Sequence, residues 1–152
     1  MFIVLLFISL LALPIVSSIC MLTIINYPGS ILRNPLDLGL VGSEPDRLTQ
    51  VLKLLAGLPE VDFIMLHERP TFLLILGNEA HLQAVNDVLI NFKHKKPLVV
   101  ISQPGGRHET VRMEVEKKLA DAGIPVFPSF YRAAKAVTNV IRYWEFRNNS
   151  LS

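Results

Sequence analysis

Charge is absent from the first part of this chain. The 152 residues include 15 lysines and arginines and 13 aspartates and glutamates, yet no charged residue and no histidine precedes Arg33. The composition therefore describes two parts, an apolar segment and a domain whose charge content is ordinary for a soluble protein. The single cysteine, Cys20, excludes an intramolecular disulfide framework and a cysteine-based zinc site.

The overall charge and length exclude further classes of function. A net charge of +2 is too weak for a nucleic-acid partner, and the basic run at residues 93–96 is too short to supply one. No HxxxH pattern or carboxylate cluster predicts a metal site. The length allows one domain and excludes an enzyme with separate nucleotide, substrate and catalytic domains.

Residues 1–26 form an almost wholly apolar segment. About 20 such residues span a bilayer as a helix, so hydropathy predicts a transmembrane or signal segment. Three features oppose this: no basic residue precedes the run, Pro14 interrupts it, and Ile19 stands before Cys20 where a lipoprotein cleavage site has a small residue. The alternatives are an altered start of the reading frame and a buried strand of the domain itself.

The rest of the chain alternates strand and helix patterns. Short apolar runs predict strands at residues 61–66, 98–101 and 124–127. Apolar residues at helical spacing predict four helices: one opened by Ser43 as N-cap and stopped at Gly57, then residues 79–92 capped by Asn78, 107–122, and a last one from Ser129 to Arg147. This alternation predicts an α/β domain with a mostly parallel sheet and helices on both faces.

Four motifs follow one another in a characteristic order: RNPLDLG (33–39), LAGLPEVDFIML (55–66), KKPLVVISQPGG (95–106) and a final stretch at 119–147. Together they resemble the NDP-forming acyl-CoA synthetases, relatives of succinyl-CoA ligase. The resemblance covers the ligase domain that lies between the phosphohistidine domain and the ATP-grasp module. It implies a three-layer, flavodoxin-like parallel sheet at residues 27–148, preceded by the apolar segment and followed by a polar tail at 149–152.

The resemblance also implies a function. Complete enzymes of this family make an acyl-CoA, ADP and phosphate from a carboxylate, CoA and ATP with Mg²⁺, through a phosphorylated histidine. This chain has no Gly-rich nucleotide loop, and none of its four histidines lies in the family's phosphohistidine motif. We therefore expect no catalytic residue and no cofactor held by this chain alone, and we expect the phosphohistidine/CoA-binding and ATP-grasp domains or subunits as its partners.

Two alternatives to this function stay open. The chain is a membrane-tethered, flavodoxin-like interaction domain if residues 1–26 are an anchor. It is a truncated gene fragment without independent activity if the neighbouring modules are encoded beside it. The family resemblance implies a cytoplasmic location, whereas an anchor implies membrane association.

The candidate contact residues lie in loops at one edge of the predicted sheet. Ligands of open α/β folds bind at the carboxyl ends of the strands, which selects the loops at residues 34–39, 67–78 and 103–106. The candidates for ligand or interface contacts are Asn34, Asp37, Gly39, Gly105, Gly106 and Arg107. The alternative is structural: Asn and Asp side chains bind nearby backbone, and a Pro-Gly-Gly sequence is an ordinary turn.

The beginning of the domain departs from the family pattern. The family's first strand and Gly-rich turn are replaced here by the apolar segment, which has no glycine before Gly29. In the strand order 2-1-3-4-5 the first strand is internal and pairs on both sides. Either part of the segment, such as residues 2–6, fills this position, or the sheet is incomplete.

Overall fold

A computed structural model describes residues 3–8, 35–93, 95–105 and 108–150. The described elements are β1 (Ile3–Ile8), β2 (Leu36–Asp37), a 3-10 helix (Gly39–Ser43), α1 (Pro45–Gly57), β3 (Val61–Glu68), α2 (Pro70–Leu76), α3 (Glu79–Ile90), β4 (Leu98–Ser102), α4 (Glu109–Asp121), β5 (Val126–Phe127) and α5 (Phe130–Ser150). The predicted mixed α/β class is confirmed.

Strands β3, β4 and β5 form a parallel sheet, as predicted. In the β3–β4 ladder Ile64 pairs with Leu98 at one end and Glu68 pairs with Ser102 at the other. In the β4–β5 ladder Val100 pairs with Val126. Each of these strands is followed by a helix, which is the connection that parallel neighbours require.

β1 lies inside the sheet and completes it. The strand order is β2-β1-β3-β4-β5, so residues 3–8 occupy the internal position that the sequence left in question. The flavodoxin-like parallel sheet that the family resemblance implies is present only in part, because β1 runs antiparallel to both β2 and β3. A strand that runs in either direction satisfies the backbone hydrogen bonds of both neighbouring strands. The internal position therefore requires an apolar strand but does not determine whether that strand runs parallel or antiparallel to its neighbours.

Helices cover both faces of the sheet because the side chains of its central strands alternate. On one face Ile64 and Leu66 of β3 and Val100 of β4 pack with apolar residues of α1, α2, α3 and α4. On the other face β3 and β4 pack against the first half of α5, chiefly through Phe63, Met65, Val99, Ile101 and Ala133. The sheet is therefore buried on both sides, as its unbroken apolar runs predict.

Three local predictions need correction. Ser43 does not cap α1; it ends the 3-10 helix, its hydroxyl donates to the Leu40 carbonyl, and Glu44 takes the cap position. The predicted loop at 67–78 contains α2, which begins at Pro70 because proline suits a first helical turn. α5 continues to Ser150, so Asn149 and Ser150 of the predicted polar tail are helical.

The cap of α3 is confirmed. The Asn78 side chain accepts a hydrogen bond from the His81 N–H at 3.0 Å, which satisfies one of the free donors at the helix start.

Of the predicted apolar segment, residues 1, 2 and 9–26 lie outside the described residues. In the described ranges, none of the helices combines the length and apolarity that crossing a bilayer requires.

A proline in β1 tests whether this strand belongs to the sheet. Val4 pairs with Leu66 of β3 and with Leu36 of β2, so its N–H faces a partner strand in either orientation. We expect Val4→Pro to lower the free energy of unfolding by about 1–3 kcal/mol or more, since it removes a ladder donor and leaves an acceptor unpaired. Urea unfolding measures the change. Val4→Ile keeps the N–H and serves as the control; equal stability of the two variants would place β1 outside the folded domain.

Candidate functional site

The structure brings three of the predicted contact residues to one edge of the sheet but not to one cleft. Asp37 ends β2, and its carboxylate accepts a hydrogen bond from the Gly39 N–H at 2.9 Å. Gly39 and Gly105 both have positive φ, 54° and 99°, a backbone conformation that favours glycine. Asp37 lies in β2, on the far side of β1 and therefore about 10 Å from β3 at the usual strand spacing. Asn34, Gly106 and Arg107 lie outside the described residues.

A small polar cleft opens where β3 and β4 end. It encloses about 130 Å³ between the β3–α2 turn and the segment that leads from β4 into α4. Its lining residues are Arg69, Pro70, Thr71, Gln103, Pro104, Gly105, Glu109 and Arg112. The position is the one that open α/β sheets use for ligands, outside the carboxyl ends of parallel strands.

The sequence builds this cleft from two adjacent strand ends. Because Glu68 and Ser102 are paired in the ladder, Arg69 and Gln103 leave the sheet side by side. Pro70 then turns the chain into α2. Gly105 and His108 both adopt left-handed backbone before α4 begins at Glu109, which sharpens the second turn.

The two arginines of the cleft differ in their partners. Arg112 Nε donates to Glu109 Oε1 at 2.9 Å, and its Nη1 donates to Glu116. The hydrogen bond from Arg112 holds the pKa of Glu109 below its usual range, and the same contact raises the pKa of Arg112. Arg69 is exposed and makes no ion pair with any described residue. Arg69 is therefore the cation available to a ligand or a partner.

A buried polar pair lies beneath the cleft. Glu68 and Ser102 are both 0% exposed, and neither the carboxylate oxygens nor the Ser102 hydroxyl has a hydrogen-bond partner. By strand alternation both share the face of Leu66 and Val100. Desolvation raises the pKa of Glu68 to about 8. The Glu68 carboxyl is therefore protonated at neutral pH. In this form it can donate a hydrogen bond through its O–H and accept one at its other oxygen.

His67 lies on the opposite face of the sheet. Its ring is buried, its centroid is 5.6 Å from that of Phe130, and neither ring nitrogen has a hydrogen-bond partner. Burial, and next the positive charge of Arg69, lower the pKa of His67. His67 is the penultimate residue of β3, and its lowered pKa leaves the imidazole uncharged at neutral pH.

The chemistry available at this edge is hydrogen bonding and charge pairing. Ser102 makes no hydrogen bond to Glu68, so the pair does not form an activated nucleophile. Within the part of the chain that the structure describes, no group of three histidine, cysteine or acidic side chains could hold a metal ion. A larger, open groove of about 500 Å³ lies between α1 and α3, away from the strand ends.

Comparisons with protein-family models, curated proteins and solved structures found no match to this chain. The assignment of the site therefore depends on its geometry and on the sequence motifs.

Sequence reasoning missed the buried pair and the two arginines. A signal was present, because each of the two central apolar runs ends in a polar residue, VDFIMLHE in β3 and LVVIS in β4. In neighbouring parallel strands such ends meet at one edge. No comparable sequence pattern pointed to Arg69 and Arg112. They line one cleft because of the position of helix α2, and the sequence analysis predicted that segment as a loop.

The pH dependence of stability tests the state of Glu68. Between pH 6.5 and 8 the folded state keeps a proton that the unfolded carboxyl, with a pKa of 4.5, has lost. The free energy of unfolding should therefore fall as pH rises through this window, by roughly 1 kcal/mol per pH unit. The lowered pKa of His67 acts with opposite sign, mainly below about pH 6.5, where most unfolded imidazoles are protonated, and fades over the next pH unit.

Urea unfolding at half-unit steps from pH 6.5 to 8 measures this slope. We expect Glu68→Gln to abolish the slope, and Glu114→Gln, an exposed position on α4, to leave it unchanged. A wild-type protein with no slope in the window would mean that Glu68 is ionised in the folded state.

Proposed function

We propose that this chain is a flavodoxin-like ligase-domain module of an NDP-forming acyl-CoA synthetase. In the complete enzyme the module docks the phosphohistidine and ATP-grasp parts and contributes the edge of its sheet to their shared site. By itself it does not make acyl-CoA. The observation that carries the proposal is the place of the Pro-Gly-Gly motif: Gly105 lines the cleft where two parallel strands end.

The strand order supports the fold that the proposal requires. The order β2-β1-β3-β4-β5 is that of flavodoxin-like sheets, and the domain fills its internal position with residues 3–8. The reversed direction of β1 removes the Gly-rich strand-to-helix turn with which the family's domain begins.

The dimensions of the cleft support a role as one wall of a composite site. At about 130 Å³ it is smaller than the pockets of roughly 300–1,000 Å³ that enclose a drug-sized ligand. CoA and ATP with Mg²⁺ therefore need surfaces on the partner modules. Arg69, Thr71 and Gln103 fit one anionic or hydrogen-bonding group presented by such a partner.

The proposal predicts activity only after reconstitution. With ATP, Mg²⁺, CoA and acetate, the isolated chain should form no acyl-CoA above the background without protein, because it supplies no nucleotide site or phosphorylated histidine. Addition of separately expressed phosphohistidine and ATP-grasp modules of an NDP-forming synthetase should produce acyl-CoA. Mass spectrometry of the thioester product measures both. Turnover by the isolated chain, or none in the mixture, would contradict the proposal.

The role of the cleft is tested in the reconstituted mixture. Arg69→Gln removes its exposed cation, and we expect the rate to fall roughly tenfold, the usual effect of one lost charged hydrogen bond. Arg47→Gln, an exposed arginine of α1, is the matched control. Equal rates for both variants would remove the cleft from the interface.

A further inference from the structure

His67 lies beneath the first turn of α5. By strand alternation it shares the face of Phe63 and Met65, and its ladder partner in β4 is Ile101, a residue of the same apolar layer. His67 is 8% exposed, and its ring centroid lies 5.6 Å from that of Phe130, the first residue of α5. Neither ring nitrogen has a hydrogen-bond partner. These surroundings suit only the uncharged form of the imidazole.

The charges that act on His67 are positive. They are the guanidinium of Arg69, at the end of the same strand, and the amino terminus of the chain. β1, β4 and β5 contain no charged residue. The first turn of α5 adds the positive end of the helix dipole and the exposed Arg132, and the acidic residue of this helix, Glu145, lies near its other end. Glu68 is on the opposite face of the sheet and keeps its proton below about pH 8. An imidazolium at this position is therefore disfavoured by its neighbours as well as by burial.

α5 is held to the sheet by a small core of its own. Ala133 is the buried residue of this helix, and every residue from 138 to 150 is exposed. The larger core lies on the opposite face of the sheet, where α1, α2, α3 and α4 pack. Release of α5 would therefore hydrate His67 while the larger core stays closed, which makes it a less costly opening than unfolding of the domain.

We propose that His67 is a pH-sensitive switch whose protonation releases α5 from the sheet and uncovers the apolar face beneath it. Water solvates the imidazolium in the released state, whereas in the packed state the charge is buried among apolar side chains. Because burial lowers the pKa of His67, the packed state binds fewer protons than the released state, so acid favours release. This switch is independent of the acyl-CoA synthetase proposal.

Hydrogen exchange of the full chain at pH 7.5 and pH 5.5 measures the release. After correction for the intrinsic exchange rate at each pH, we expect the protection of the α5 amides at 133–137 to fall about tenfold on acidification. This is the change expected from one imidazole that titrates near its ordinary pKa of 6.5 when solvated and stays uncharged when packed. Amides at 51–55 in α1 and 85–89 in α3 should keep their protection, because they belong to the larger core.

Two variants of His67 remove the titrating group. His67→Phe keeps an aromatic ring beside Phe130, and His67→Gln keeps a polar side chain; in both, the protection of α5 should be the same at the two pH values. His108→Asn is the matched control, since it removes an exposed histidine at a left-handed backbone position that asparagine tolerates. This control should keep the tenfold change.

Three outcomes would overturn the proposal. Unchanged protection of α5 in the wild-type chain would mean that His67 and the helix are not coupled. An equal loss of protection in α1 and α3 would mean that acid destabilises the whole domain rather than releasing one helix. A tenfold change that persists in both His67 variants would assign the pH response to another group.

Discussion

Backbone hydrogen bonds between β3 and β4 hold the two central strands in a register that ends both at one edge of the sheet, with Glu68 beside Ser102. The register sets the positions of the turns that follow, and therefore of Arg69, Gln103 and Gly105. The pleat of each strand directs alternate side chains to opposite faces, so that four helices pack on one side and α5 on the other. The cleft is a consequence of this ladder.

The ends of these strands are polar where the rest of each strand is apolar. Burying Glu68 and Ser102 without hydrogen-bond partners is unfavourable, and the carboxyl reduces that cost by retaining a proton, which its raised pKa reflects. The remaining cost is concentrated next to the cleft at the ends of β3 and β4. Unsatisfied buried polar groups of this kind often accompany functional surfaces, where the fold tolerates local instability.

The sequence predicted most of the fold because β3 and β4 are buried on both faces and the helices carry clear apolar stripes. It failed where tertiary context decides. The direction of β1 depends on strand pairing, which no local sequence pattern indicates. Helix α2 has only seven residues, and its sequence stays apolar up to its last residue, so that no glycine or polar residue marks its end before Gly77. The candidate contact residues were predicted at the edge of the sheet where the cleft opens, and their role stays a prediction. The arginines of the cleft depended on α2, and the buried pair depended on the register.

The location of β1 makes residues 3–8 an internal strand of the sheet. A strand made of residues 3–8 separates β2 from β3 and supplies both with hydrogen-bond partners. Cleavage by a signal peptidase after the apolar segment would take this strand away and leave two open strand edges in the middle of the sheet. A polypeptide cleaved at that point therefore cannot form the five-stranded sheet, and one that forms this sheet has kept residues 3–8.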